Sequence, residues 1–131
     1  MNALHQYQAV SAQTSVVDVD KHRLIGLLFE GALERINMAK ARIKASDFEG
    51  KNKLINKTIE IVNGLRSFLD VDKGQELAEN LFNLYEYCEH RLVEANIKND
   101  IEALDEVAGH IRKVQEAWVG IREEAKEKGL I

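Results

Sequence analysis

Apolar residues recur every three or four positions through four separate stretches of this chain, and no run of four or more residues alternates as a half-buried strand would. The first helical pattern begins after "SVVDVD", where Asp18 or Asp20 can accept bonds from a first turn, and runs to about Ala45. "SDFEG" interrupts it, and "NKLINKTIEIVNGLRSFL" resumes it to about Leu69. After "DVDKGQ", where Gly74 suits a turn, a third stretch extends from about Glu76 to Ile97; with Asp100 as N-cap, a fourth continues to about Lys126. Short connections between amphipathic helices predict an all-α fold, an antiparallel up-and-down four-helix bundle. The bundle is expected over residues 18–131 as a single domain, preceded by a short, mobile leader or cap, residues 1–17.

The fourth stretch carries one clean seam: Leu104, Val107, Ile111, Val114, Trp118 and Ile121. The second centres on Leu54, Thr58, Ile61, Val62, Leu65 and Leu69, with Ile55 and Ile59 on one flank. At about 100° per residue, the third places Leu77, Leu81, Leu84, Cys88, Leu92 and Ala95 on a core stripe, and Ala78, Phe82, Tyr85 and Val93 beside it. The first repeats the excess: Leu24, Leu27, Gly31 and Met38 fall off the stripe of Ile25, Leu28, Ala32, Ile36, Ala39 and Ile43. Such flanks either widen the core or offer a groove to a partner. Burying one large apolar side chain is worth about 1.5–3 kcal/mol, so four or five aligned on one surface can hold a peptide. Gly26, Gly31, Gly64, Gly109 and Gly120 stand inside predicted helices at a cost of about 1 kcal/mol each, which fits either close helix approach or a groove floor.

Composition narrows the choice of partner. A chain of 131 residues with 45% hydrophobic and 31% charged residues and no proline should fold as one domain. Its net charge of −4 would repel a polyanion, so nucleic acid is not expected as the partner. The first twenty residues lack a basic start and an apolar core, and no run reaches spanning length, so the expectation is a cytoplasmic protein with no membrane insertion. The single Cys88 falls on a core stripe and reads as a small buried apolar residue.

Sites for chemistry are poorly supported. A di-iron bundle needs Glu-x-x-His on two helices, and no histidine here has an acidic residue three positions earlier. "DVDKGQE" departs from a calcium loop, with Gly74 at position five and Leu81 in place of the closing glutamate. His90 and His110 each follow a glutamate, Glu86 and Glu106, by one turn, as surface ion pairs do. No metal or cofactor is expected, and the chain is not read as an enzyme.

The leader "YQAV", then "HRLIGLLFEGALERINMAKARI", "INKTIEIVNGLRSFLD", "GQELAENLFNLYEYCEHRLVEANIKND" and "VQEAWVGI", resembles the flagellar secretion chaperone FliS family from about Tyr7 to about Ile121. "LLFEGAL" is similar to the family's Leu-Tyr-Asp-Gly-Ala pattern, and "NLYEYCEHRLVEAN" to its Leu-Tyr-x-Tyr run ending in Ala-Asn. Phe29 and Glu30 depart from the usual Tyr and Asp, and "VVDVDKHRL" lacks the usual serine-proline. The resemblance implies a cytoplasmic bundle that binds the C-terminal segment of flagellin, prevents its premature polymerisation and aids delivery to the type III flagellar export apparatus. It also implies that the leader covers part of the docking surface until the client arrives. The contacts expected on this reading are Tyr7 of the leader, Leu24 and Leu27 on the first helix, Ile55 and Ile59 on the second, and Phe82, Tyr85 and Val93 on the third. The chain should then be a monomer or weak homodimer. The rival is a self-assembling helical structural or adaptor protein without a flagellin client.

Overall fold

The computed structural model describes residues 17–120, with the side chains described from Lys21 onward. All described secondary structure is helical: α1 (Val17–Lys44), α2 (Phe48–Ser67), α3 (Val71–Lys98) and α4 (Ile101–Trp118). The leader of residues 1–16, with Tyr7, lies outside the described residues. So does Ile121, while the fourth helix, expected to reach Lys126, already ends at Trp118.

Local chemistry sets the helix ends. Asp18 and Asp20 stand inside the described part of α1, so neither is an N-cap. At its other end Ser46 adopts a left-handed φ of 58°, and the Asp47 N–H donates back to the Arg42 carbonyl at 2.8 Å. That closure satisfies a terminal carbonyl and turns the chain. Asp47 then caps α2 by accepting from the Gly50 N–H at 3.0 Å, so "SDFEG" is both stop and start, and α2 begins before the expected stretch. Asp100 caps α4 as expected, accepting from the Ala103 N–H at 3.1 Å. α4 ends at Trp118: Val119 is extended and Gly120 has φ +98°, so Gly120 lies past the helix and not inside it.

The break expected at "DVDKGQ" is offset by one residue. Asp70 caps a first turn at Val71–Gly74, and the distortion falls on Gln75, with φ 50° and ψ −131°, before the helix continues. A side chain strained at this backbone position costs about 1–3 kcal/mol. Gln75→Gly should therefore raise stability by about 1 kcal/mol, an increase in Tm of roughly 4 °C, whereas Gln75→Val should lower it. Thermal melts of the two variants check this.

The helices form a square in which α1 and α3 each pack on both α2 and α4, while the diagonals scarcely touch. Two bonds between distant sequence positions fix the antiparallel ends. Lys51 at the start of α2 donates to the Asn96 carbonyl in the last turn of α3 at 2.7 Å, and His22 near the start of α1 meets Trp118 at the end of α4. Lys51 is only 4% exposed, and burial lowers the pKa of its ammonium. The core holds Leu28, Phe29, Ile36, Ile55, Ile61, Val62, Leu92, Leu104, Val107 and Ile111. No described helix is long and apolar enough to cross a membrane.

Candidate partner-binding surface

The eight expected contacts do not share one surface. Ile55 is fully enclosed, and Tyr85 is 4% exposed, inside the continuous core. The buried arcs of α2 and α3 are wider than the single stripes read from spacing. On α2 that arc includes Ile55, Thr58, Val62 and Leu65; on α3 it includes Ala78, Tyr85, Cys88, Leu92 and Ala95. Burial raises the pKa of the Tyr85 hydroxyl, with Cys88 adding to the shift. Leu24 is also buried, at 7% exposure, outside the continuous core. These three residues therefore present no open contact surface here. Conversely, Leu77, expected in the core, is 44% exposed, while Leu81 and Leu84 are half-buried.

Ile59, Phe82 and Val93 lie on two rows that face each other across the seam between α2 and α3, with Phe82 and Val93 about 16 Å apart along α3. On α2, Ile59, Asn63 and Arg66 follow at helical spacing; on α3, Phe82, Glu86, Glu89 and Val93 do the same. The two rows are joined. Arg66 Nε donates to Glu89 at 2.8 Å, Asn63 donates to the same carboxylate at 3.3 Å, and a second Arg66 nitrogen lies 4.0 Å from Glu86. The Arg66 guanidinium also sits 5.1 Å above the Phe82 ring. Ile59 and Phe82 are half-buried, whereas Val93 is exposed, and one turn beyond it Ile97 is 75% exposed. The seam is thus an apolar strip with a polar clasp at its middle. Ile97, missed in the sequence, continues the Phe82–Glu89–Val93 row and was open to the same helical-spacing argument.

Leu27 lies elsewhere, in an open groove of about 380 Å³ between α1 and α4 that is lined by His22, Arg23, Gly26, Leu27, Glu30, Gln115, Trp118 and Val119. Trp118 forms one wall and is held twice: its indole N–H donates to the His22 carbonyl at 3.1 Å, and His22 Nε2–H donates to the Trp118 carbonyl at 3.0 Å. The two rings stack with centroids 4.7 Å apart. A Cβ on Gly26 would meet nothing within 4 Å, so this glycine is not there for close helix packing. Gly31 differs, since its Cβ would approach Ile61 of α2 and the Arg35 side chain.

Charged chemistry concentrates across α3 and α4. Glu106 accepts from the Tyr87 hydroxyl, from Arg91 Nε at 2.8 Å and from His110 Nε2 at 3.4 Å. The bond from Tyr87 and then that from Arg91 pull its carboxyl down to about 2. Of the two expected glutamate–histidine pairs, Glu106–His110 forms, whereas Glu86 turns to Arg66. Among the described residues no group of three His, Cys, Asp or Glu could hold a metal ion.

The family described as "Flagellar protein FliS" matches residues 3–125. The chain is 47% identical to the flagellar secretion chaperone FliSB of Pseudomonas aeruginosa over 121 residues, 92% of this chain and 96% of that one. It is 37% identical to the flagellar secretion chaperone FliS of Salmonella typhimurium, covering 95% and 93% of the two chains, and 34% identical to that of Bacillus subtilis, covering 88% and 86%.

Proposed function

This chain belongs to the FliS family, and on that premise we propose that it is a cytoplasmic flagellar export chaperone that binds the C-terminal segment of flagellin and hands it to the type III export apparatus. The observation that carries the reading is the seam between α2 and α3, where Val93 and Ile97 stand open beside half-buried Ile59 and Phe82. A client segment that is disordered alone and apolar on one face gains its order by docking there as a helix. Its apolar face is then unavailable to other flagellin subunits, and polymerisation is prevented without nucleotide hydrolysis.

Co-expression with flagellin tests the assignment. Full-length flagellin should co-purify one to one, and flagellin lacking its C-terminal segment should not. Equal retention of the truncated client, or a free chaperone that is a tight dimer and retains neither, would overturn it.

A further inference from the structure

The outward face of α1 carries a pattern that the α2/α3 seam does not account for. Leu27 and Met38 are eleven residues apart, three turns of helix, so both project from the same side of α1. They are 43% and 41% exposed. Each stands at a well: Leu27 at the groove against Trp118 and Val119, and Met38 at a second hollow of about 310 Å³ with Ala41, Arg42 and Ala45. Between them on the same stripe lie Glu30 and Glu34, both exposed, and among the described residues neither has a salt-bridge partner. Arg23 and Arg42 flank the two wells at the outer ends. Along α1 the order is therefore basic, apolar, acidic, apolar, basic.

That order argues against a second copy of this chain. Two α1 stripes laid antiparallel, with Leu27 opposite the partner's Met38, would set Glu30 within one residue of the partner's Glu34 on each side of the centre, and like charges in contact oppose the pairing. The order is complementary to a helix with apolar anchors about 16 Å apart, basic residues between them and acidic residues beyond them. We propose that the outward face of α1 is a second docking surface, for an amphipathic helix of another protein whose two apolar anchors enter the Leu27 and Met38 wells and whose central basic residues meet Glu30 and Glu34. α1 lies diagonally across the square from α3, so this surface is separate from the α2/α3 seam.

Two synthetic amphipathic helices serve as probes: one with leucines eleven residues apart and lysines between them, and the same peptide with glutamates in place of the lysines. Trp118, the only tryptophan of the chain, lines the Leu27 well and gives a local fluorescence signal. The lysine peptide should bind and shift that emission, and the glutamate peptide should not. Glu30→Lys with Glu34→Lys should weaken the lysine peptide at least tenfold and admit the glutamate peptide. Leu27→Asp and Met38→Asp, at sites already exposed, should each weaken binding while the circular dichroism is unchanged. Lysine-peptide binding that ignores the charge reversal, or that leaves Trp118 emission unchanged, overturns the proposal, as does a preference for the glutamate peptide by the unaltered chain.

Discussion

Changing Phe82 and Val93 together to Asp should abolish capture of the flagellin C-terminal segment proposed as the client and leave a helical, cooperatively melting bundle. With Phe82 half-buried and Val93 44% exposed already, each gains only about half of the 1.5–3 kcal/mol of full burial when a client docks, and the larger loss comes from the carboxylates, which would have to be stripped of water. Losing even about 3 kcal/mol weakens binding more than a hundredfold, enough to empty the complex at ordinary concentrations. The cost to the fold is smaller. Val93 is 44% exposed, and a carboxylate introduced by Phe82→Asp would lie beside the Arg66 guanidinium now placed over that ring. Titration calorimetry with the tail peptide, alongside a thermal melt, reads both quantities. A folded double variant that still binds the tail removes the seam from consideration.

Ile55→Ala has the opposite signature. Ile55 is fully enclosed among the residues of the core, so truncation leaves a cavity and costs about 3 kcal/mol, within the 2–5 kcal/mol usual for such changes. In a chain of this length that lowers Tm by roughly 10 °C. Client affinity, measured well below the new melting point, should change by less than threefold. Denaturant unfolding and calorimetry on one sample separate the effects: an affinity loss as great as that of the Phe82 and Val93 pair, without loss of stability, would return Ile55 to the contact surface.

The contrast between these residues shows how far the sequence could be read. Helical period and polar breaks were sufficient for the four helices, for the Asp100 cap and for the α4 seam at Leu104, Val107 and Ile111, because α4 is the element whose apolar residues form one narrow stripe. On α2 and α3 the same rule found Thr58, Ile61, Val62, Leu65, Cys88, Leu92 and Ala95 but misplaced the edges of the buried arc. Every helix here is gripped by two neighbours, and the centre of its buried arc is set by where those neighbours lie, which periodicity does not encode. Hence Ile55 and Tyr85 went inward, and Leu77 outward. The site was legible where spacing alone decides, in the shared row of Phe82, Glu89 and Val93. It was illegible where long-range bonds decide: nothing local marks Arg66 as the group that covers Phe82, or His22 as the partner of Trp118. Gln75 is a third kind of miss, since a neighbouring glycine drew the turn to itself while the strained backbone sits one step later.

Cys88 is 1% exposed, and burial, followed by the nearby Glu106 and Glu89 charges, pushes its thiol up to about 12. An alkylating reagent reacts with the thiolate, so at neutral pH this sulfur is inert for as long as the interior stays shut. Its modification rate in excess reagent then equals the intrinsic rate for an open chain multiplied by the fraction of time the molecule spends open. The protein thus carries its own clock for opening events, readable by mass spectrometry without any label being engineered in. Occupation of either outer surface by a peptide should slow that clock exponentially with the free energy the peptide adds, about tenfold for each 1.4 kcal/mol.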